Sequence, residues 1–288
     1  MKKRSVRKSA VPRKSTSRKK TSFWKSKIFN AILGGLCLLF LFGIGFHYRN
    51  GLMYYFGFKS DKVTQSKEEE KRFTDVRNFQ LLSKYADKVV GIDVSEYQGK
   101  INWQEVDSVE GNFPIRYVFI RATVGKDRVD FEFENNWKNS KATLIRGAYH
   151  YYRPNENSIA QANNFIKNVK LRKGDLPPVL DIEAMPKNQS IDSLKVGLKR
   201  WIEKVNAHYK VKPIIYTNEK FYEAFLKKEF REYPFWIANY NFFTENIEDD
   251  WLMWQFSEKG SVPGIVGNVD LNIYNGSPKM LQYLTLID

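Results

Sequence analysis

The sequence predicts an α/β chain: a barrel of largely parallel strands preceded by a single apolar segment long enough to cross a membrane. Three observations carry this expectation. Short apolar, β-prone runs, each ending in a polar or aromatic residue, recur from Val89 to Asp270; helical stripes lie between several of them; and residues 28–46 carry no charge. A run followed by a stripe, repeated, is the sequence form of βα units, which pack as a parallel sheet or close as a barrel.

The N-terminal segments come first. Residues 1–27 hold twelve Lys or Arg and no Asp or Glu, and supply most of the formal net charge of +15. Lys/Arg runs often bind nucleic acid, but directly ahead of an apolar span the positive-inside rule accounts for the charge, and no nucleic-acid partner is expected. The rule keeps 1–27 cytoplasmic and everything after residue 46 outside, with attraction to anionic headgroups a secondary effect. At about 1.5 Å per helical residue, 28–46 nearly spans a hydrocarbon core of roughly 30 Å. A signal-peptide apolar region is shorter, about 7–15 residues, and Gly45-Phe46-His47-Tyr48-Arg49 lacks an A-x-A-like cleavage site. The segment is therefore read as a retained transmembrane helix lying in the lipid bilayer. Tyr48, Tyr54, Tyr55 and Phe56 fall at the outer interface. Residues 47–87 make a juxtamembrane stalk, charged and solvated over 59–78, with room for a short helix around Phe79–Tyr85. The folded domain is then 88–288, long enough for one continuous core.

Within it the strand candidates follow in order. Val89-Val90-Gly91-Ile92-Asp93, Tyr117-Val118-Phe119-Ile120-Arg121 and Ile145-Arg146-Gly147-Ala148-Tyr149-His150 precede Pro178-Val179-Leu180-Asp181-Ile182-Glu183. Pro213-Ile214-Ile215-Tyr216, Phe235-Trp236-Ile237-Ala238, Leu252-Met253-Trp254-Gln255 and Val269-Asp270 complete the set. Between them Ile159, Ala162, Phe165, Ile166 and Val169 recur at helical steps after Ser158, as do Ile191, Leu194, Leu198, Trp201, Ile202 and Val205 after the N-cap Ser190. Phe221, Tyr222, Phe225 and Leu226 form a shorter stripe, and these faces are core packing. From Phe235 onward the helices thin out, so a regular eightfold repeat is not expected.

Several chemistries lose their usual support. Cys37 is the only cysteine and lies in the apolar segment, so the domain has neither a disulfide nor a Cys-based metal site; His47, His150 and His208 are too scattered to form a ligand pair. No G-x-S-x-G, phosphate-binding loop or dinucleotide fingerprint appears. No metal or other cofactor is expected.

The acidic pair Asp181 and Glu183 is the strongest chemical signal. Two residues apart on a strand, they point the same way with backbone positions roughly 6–7 Å apart, working distance for two acids on one glycosidic bond. Such a pair also occurs where a strand frays into solvent, so the motif needs its surroundings.

Those surroundings resemble a family. Gly91-Ile92-Asp93-Val94-Ser95-Glu96-Tyr97-Gln98-Gly99-Lys100-Ile101-Asn102-Trp103 is similar to the opening of glycoside hydrolase family 25, lysozymes that cut peptidoglycan between N-acetylmuramic acid and N-acetylglucosamine. The likeness continues in order through Phe119–Thr123, Gly147–His150, Leu180–Glu183, Ile215-Tyr216, Trp236–Ala238, Trp254–Phe256 and Val269–Asn272, covering essentially 88–275. It implies an irregular TIM-like (β/α)5(β)3 barrel with Asp93, Asp181, Glu183 and Asp270 around a groove at the C-terminal strand ends. It implies Glu183 as general acid, Asp181 as its electrostatic partner, and Asp93 and Asp270 as further acids; without the likeness either of the last two is as readily a capping or turn carboxylate. Tyr149, Tyr216, Trp236 and Trp254 either stack on sugars or pack in the core. His150 and Arg121 either position substrate and carboxylates or are structural, and Gln255 and Asn272 join the substrate-binding set. Where the family commonly has a glutamate after the Ala-Thr pair, this chain has Val124.

The expectation is a membrane-anchored muramidase acting on peptidoglycan strands, held at a bacterial cytoplasmic (inner) membrane with its N-terminus inside and its domain in the periplasm or outside the cell. A chitinase-like β-N-acetylglucosaminidase and a non-catalytic wall-binding barrel are the alternatives; the acids Asp181 and Glu183 argue against the last.

Overall fold

Continuous apolar runs, rather than alternating ones, mark strands covered on both faces, and such strands build the molecule. The computed structural model describes residues 30–41, 67–109, 111–140 and 144–287. The chain divides into two compact units, Met1–Lys62 and Val63–Asp288. In the first, residues 30–41 form a helix, α1, with its apolar side chains exposed. Among the described residues no helix is long and apolar enough to cross a membrane. The expected span 28–46 extends past α1 at both ends. Those ends, the basic tail, the interfacial aromatics Tyr48, Tyr54, Tyr55 and Phe56 and the early stalk lie outside the described residues.

The second unit begins with α2 (Lys67–Lys84) and continues through β1 (Val89–Val94), a 3₁₀ turn (Glu96–Gln98), β2 (Ser108–Val109), β3 (Phe113–Val124), β4 (Arg128–Val129), α3 (Phe133–Ser140) and β5 (Ile145–Tyr151). Next come α4 (Ser158–Asn168), β6 (Val179–Asp181), α5 (Ile191–Tyr209), β7 (Ile214–Asn218) and α6 (Glu219–Phe221), which runs into a π-helical turn (Tyr222–Leu226). β8 (Phe235–Ala238), β9 (Trp251–Gly260), β10 (Val269–Tyr274) and α7 (Pro278–Leu284) complete it.

Eight strands close a barrel, one for each of the eight runs read from the sequence. β1, β3, β5, β6, β7, β8 and β9 are parallel in succession. β10 is antiparallel to both β9 and β1 and shuts the ring. The short link 261–268 holds no helix, and a parallel return needs a crossover of a dozen or more residues, so the chain turns back on itself instead. α-Helices follow β3, β5, β6 and β7. Where a fifth βα unit was expected, β1 leads through the 3₁₀ turn and β2 to β3: Ile101, Trp103 and Val106 are buried there at steps that suit no helix, and Trp103 Nε1 donates to Asn136 Oδ1 on α3 at 3.1 Å.

Two apolar layers follow from the pleat. Inside the bore lie Tyr117, Phe119, Val179, Ile214, Tyr216, Trp236 and Met253. Outside, the helices bury Phe165, Leu194, Leu198, Trp201, Ile202 and Val205 against the other strand face. Ser190 caps α5 by accepting from the Ser193 N–H at 3.1 Å. The bore is filled by aromatic rings at the expense of its wall. A Cβ on Gly91 would stand 2.3 Å from the Tyr117 ring, and one on Gly147 would stand 2.3 Å from Phe119.

The stalk reading fails over residues 67–84. They form an 18-residue helix belonging to the barrel unit, with Leu81 and Leu82 in the outer core. Arg77 donates to the carbonyls of Phe256 (2.7 Å) and Asn241 (3.1 Å), and Lys259 pairs with Glu70 at 2.6 Å. The sequence conceals this because the docking stripe is Asn78, Leu81, Leu82 and Tyr85, short and half polar, with the fully buried Asn78 bonded to the Lys259 carbonyl. Since α2 packs as core, Leu82→Ala is expected to cost about 2–5 kcal/mol in urea unfolding of the full chain; a solvated stalk would show no change.

Candidate active site

The C-terminal ends of the seven parallel strands share one mouth of the barrel. A groove of about 260 Å³ opens there, lined by Asp93, Ser95, Tyr97, Gln98, Arg121, Tyr149, Tyr151, Asp181, Glu183, Tyr216, Trp236, Tyr240, Gln255, Glu258 and Asp270. Strand β6 itself ends at Asp181, yet the Ile182 N–H still bonds the Tyr216 carbonyl at 3.0 Å. Ile182 thus faces the helices, fully buried, while Asp181 and Glu183 both face the groove. Asp270 stands at the start of β10 rather than at a C-terminal strand end. Because β10 is antiparallel, its start lies at the mouth, paired with Asp93 near the end of β1.

The four acids form two hydrogen-bonded pairs. Asp93 is buried, and its Oδ2 accepts from Gln255 Nε2 and Asn272 Nδ2, each at 2.8 Å. Burial raises its pKa to about 6, against the pull of these amides. Asp270 hydrogen-bonds to it, and burial first, then the Asp93 charge, pushes Asp270 up to about 9. At neutral pH Asp270 therefore keeps a proton and Asp93 is ionised. Asp181 and Glu183 form the second pair: burial raises both, Asp181 well above the carboxylate range because the Glu183 charge adds to it. Two acids in contact in a dry site hold one proton between them. Asp181 Oδ1 is buried without a hydrogen-bond partner, an acceptor with nothing to accept from within the protein.

The remaining expected site residues divide by face. Gln255 serves as a brace: besides donating to Asp93, its Oε1 accepts from the Tyr216 hydroxyl at 2.7 Å and from the Tyr240 hydroxyl. Trp236 floors the groove, only 2% exposed, stacked on Phe119 at 4.8 Å, with its Nε1 donating to Asn272 Oδ1 at 2.8 Å. Asn272 is fully buried one layer down the bore and reaches the groove only through Asp93 and Trp236. Arg121 is committed to Asp130 at 2.8 Å and Glu96 at 3.0 Å, with its guanidinium under the Tyr97 ring. Tyr149 lies among Asp93, Arg121 and Asp181, with its hydroxyl pushed well above its ordinary value by burial.

His150 and Trp254 are not in the groove. Both are buried on the outward strand face. His150 bonds Thr123 Oγ1 (2.7 Å) and Gln161 Oε1 (3.2 Å), stacks on Trp201, and is driven by burial down to about 3, so it stays neutral. Trp254 Nε1 donates to the Asn239 carbonyl at 2.9 Å. The residues not foreseen are Ser95, Tyr97, Gln98, Tyr151, Tyr240 and Glu258. Among the described residues no cluster of His, Cys, Asp and Glu is arranged to hold a metal ion.

Acid carboxyls, one pair sharing a proton and another holding a fixed negative charge, around a sugar-sized groove at a β/α barrel mouth are the makeup of a glycoside hydrolase. The chain belongs to glycoside hydrolase family 25: residues 92–265 match the profile of Glycosyl hydrolases family 25. It is 37% identical over 215 residues to YegX of Escherichia coli K12, covering 73% of this chain and 78% of that protein. It is 36% identical over 212 residues to lysozyme M1 of Streptomyces globisporus, covering 68% and 71%. Among solved structures, a bacterial lysozyme from Streptomyces coelicolor superposes with a TM-score of 0.62 at 32% identity over 69% of this chain and 97% of that one. A family 25 glycosyl hydrolase from Bacillus anthracis gives 0.62 at 28% identity over 70% and 95%.

The Asp270 carboxyl makes stability depend on pH. Its folded pKa of about 9 exceeds its ordinary 3.8, so the unfolded chain releases a proton that the folded chain keeps. Stability from this group is complete below about pH 4 and is lost as pH rises toward 9. Asp270→Asn presents a neutral donor to Asp93 at every pH. Its melting temperature should match wild type near pH 4 and exceed it by several degrees near pH 8; parallel curves would contradict the raised carboxyl.

Proposed function

We propose that this chain is a muramidase that cleaves the β-1,4 bond between N-acetylmuramic acid and N-acetylglucosamine in peptidoglycan, with Glu183 as general acid. The observation that carries the mechanism is the hydrogen-bonded pair of Asp181 and Glu183 lining the groove. Family membership and the likeness to lysozymes support the substrate.

The geometry suggests how the proton reaches the bond. In the free protein burial favours a proton on Asp181. A 2-acetamido sugar in the groove that sets its amide N–H against the Asp181 carboxyl, which lines that groove, stabilises the charged form, as a hydrogen bond to that form does. Asp181 then ionises and the shared proton moves to Glu183, beside the leaving oxygen. The acetamido oxygen, oriented by Asp181, attacks the anomeric carbon as the glycosidic C–O bond breaks and the leaving oxygen takes the Glu183 proton. Water, giving a proton back to Glu183, then opens the cyclic intermediate, and two inversions make net retention. Asp93, ionised and braced by Gln255 and Asn272, places fixed negative charge near the developing oxocarbenium ion.

Glu183→Gln and Asp181→Asn are both expected to fold and to lose activity by about 10² to 10⁴. The assay is release of reducing ends from peptidoglycan, with chitin as the comparison substrate and product masses recorded. Near wild-type clearance by Glu183→Gln would end the assignment. Undiminished cleavage of glycan lacking the acetyl group at the cleaved sugar would end substrate assistance.

The same reading extends to location. The basic run 1–27 and the uncharged run 28–46 support a single-pass anchor in a bacterial cytoplasmic membrane, N-terminus inside and barrel outside. Protease added to intact spheroplasts should digest the barrel and spare the first 27 residues; full-length chain in the soluble fraction would exclude the anchor.

A further inference from the structure

Beside the groove, two large aromatic rings stand in solvent. Tyr97 is 78% exposed and Phe131 is 83% exposed, although apolar rings of that size normally gain by burial. Each is backed by an arginine. The Arg121 guanidinium lies 4.7 Å from the Tyr97 ring centre, and that of Arg128 lies 5.7 Å from the Phe131 ring centre. Both arginines pair with one carboxylate, Glu96, whose other oxygen accepts the Phe131 N–H at 3.2 Å. Arg121 is fixed further by buried Asp130 at 2.8 Å, which also accepts the Glu96 N–H at 3.0 Å. Glu96 therefore ties the turn carrying Tyr97 to the loop carrying Phe131, and each ring has an arginine beside it while remaining largely exposed.

Cation–π backing and a tied backbone lower the entropy that a ring loses when something stacks on it. The rings also lead somewhere. Tyr97 lines the groove, whereas Phe131 lines a neighbouring cavity of about 760 Å³ together with Phe133, Trp137, Glu134 and Lys170. The groove itself, about 260 Å³, is smaller than the roughly 300–1,000 Å³ of a pocket for one drug-sized ligand. A polymer cut there must leave over a rim.

We propose that Tyr97 and Phe131 form a ledge that binds the glycan strand beyond the sugars at the cleaved bond, each ring stacking on the apolar face of a pyranose. The inference rests on the muramidase reading for the identity of the polymer. Each ring is worth about three- to tenfold in affinity for strands long enough to reach it.

The test is binding of peptide-free peptidoglycan glycan, four sugars long and eight sugars long, to the full chain carrying Glu183→Gln, by titration calorimetry, beside turnover of the same oligomers by the wild type. The eight-sugar strand should bind more tightly, and adding Phe131→Ala should shrink that preference about three- to tenfold. Adding Phe131→Trp should preserve it. Phe131 is exposed, so its replacement tests the ledge without disturbing the core. A length preference unchanged by Phe131→Ala would overturn the proposal. So would a Phe131 effect confined to strands that carry stem peptides, which would assign the ledge to peptide. If the wild type cuts no oligomer while Phe131 still sets the length preference, the muramidase reading fails and the ledge stands. If cutting proceeds and neither affinity nor rate depends on Phe131, the ledge fails and that reading stands.

Discussion

The pairing of β10 with β1 is the constraint on which both the barrel and its chemistry rest. An open edge on a sheet of seven parallel strands would leave β1 and β9 with unpaired backbone donors and acceptors, and the chain closes that gap with one strand running the other way. The antiparallel register sets Asp93 opposite Asp270, so closure brings two carboxyls into contact. Two residues further along β10, on the same face, Asn272 points into the bore below them and supplies an amide to Asp93 and an acceptor to Trp236. A parallel eighth strand would have carried the start of that run to the opposite end of the barrel.

Closure also sets the electrostatic cost. Buried acids that share few counter-charges destabilise a fold, and here the main relief comes from protons and amides. Asp270 and the Asp181–Glu183 pair are relieved by keeping protons, while Asp93, which ionises, receives two amide donors. The nearest arginine, Arg121, faces Asp130 and Glu96. A cation paired directly with Glu183 would hold it ionised and remove its use as an acid; spending Arg121 on the rim leaves the pair free to carry a proton. The same commitment stiffens the turn under Tyr97, while the Arg121 charge still pulls the Asp181 pKa down across the groove, against the larger effect of burial.

How far the sequence discloses this depends on the pleat. Strands buried on both faces must be apolar throughout, so all eight were legible as runs, and the residue ending each run was a fair guide to the mouth. What a run does not display is which of two adjacent residues faces the bore. Tyr149 and His150, or Trp254 and Gln255, cannot both do so, because successive side chains alternate; Tyr149 and Gln255 face inward, and His150 and Trp254 join the outer core. The period-two rule would also have found residues that were missed. Just as the step from Asp181 gives Glu183, two positions from Asp93, Tyr149 and Ala238 lie Ser95, Tyr151 and Tyr240, all in the groove. Glu258 escapes that rule because β9 shifts register against β10 between Ser257 and Gln255.

The features that stayed hidden depend on contacts between distant segments. Glu96 reads as an ordinary solvent-facing acid until Arg121, Arg128 and the Phe131 N–H converge on it from the next strand and loop. α2 reads as a charged stalk until Arg77 and Asn78 reach the β9 carbonyls and the loop after β8. Its position has a consequence for the mouth. Glu70, near its start, is held by Lys259, the residue after the groove-lining Glu258, while its far end delivers the chain to β1 at the closed floor of the barrel. The helix therefore braces β9 near its C-terminal end, at Phe256 and Lys259, and β9 carries Gln255, the side chain that holds Asp93, Tyr216 and Tyr240 in place.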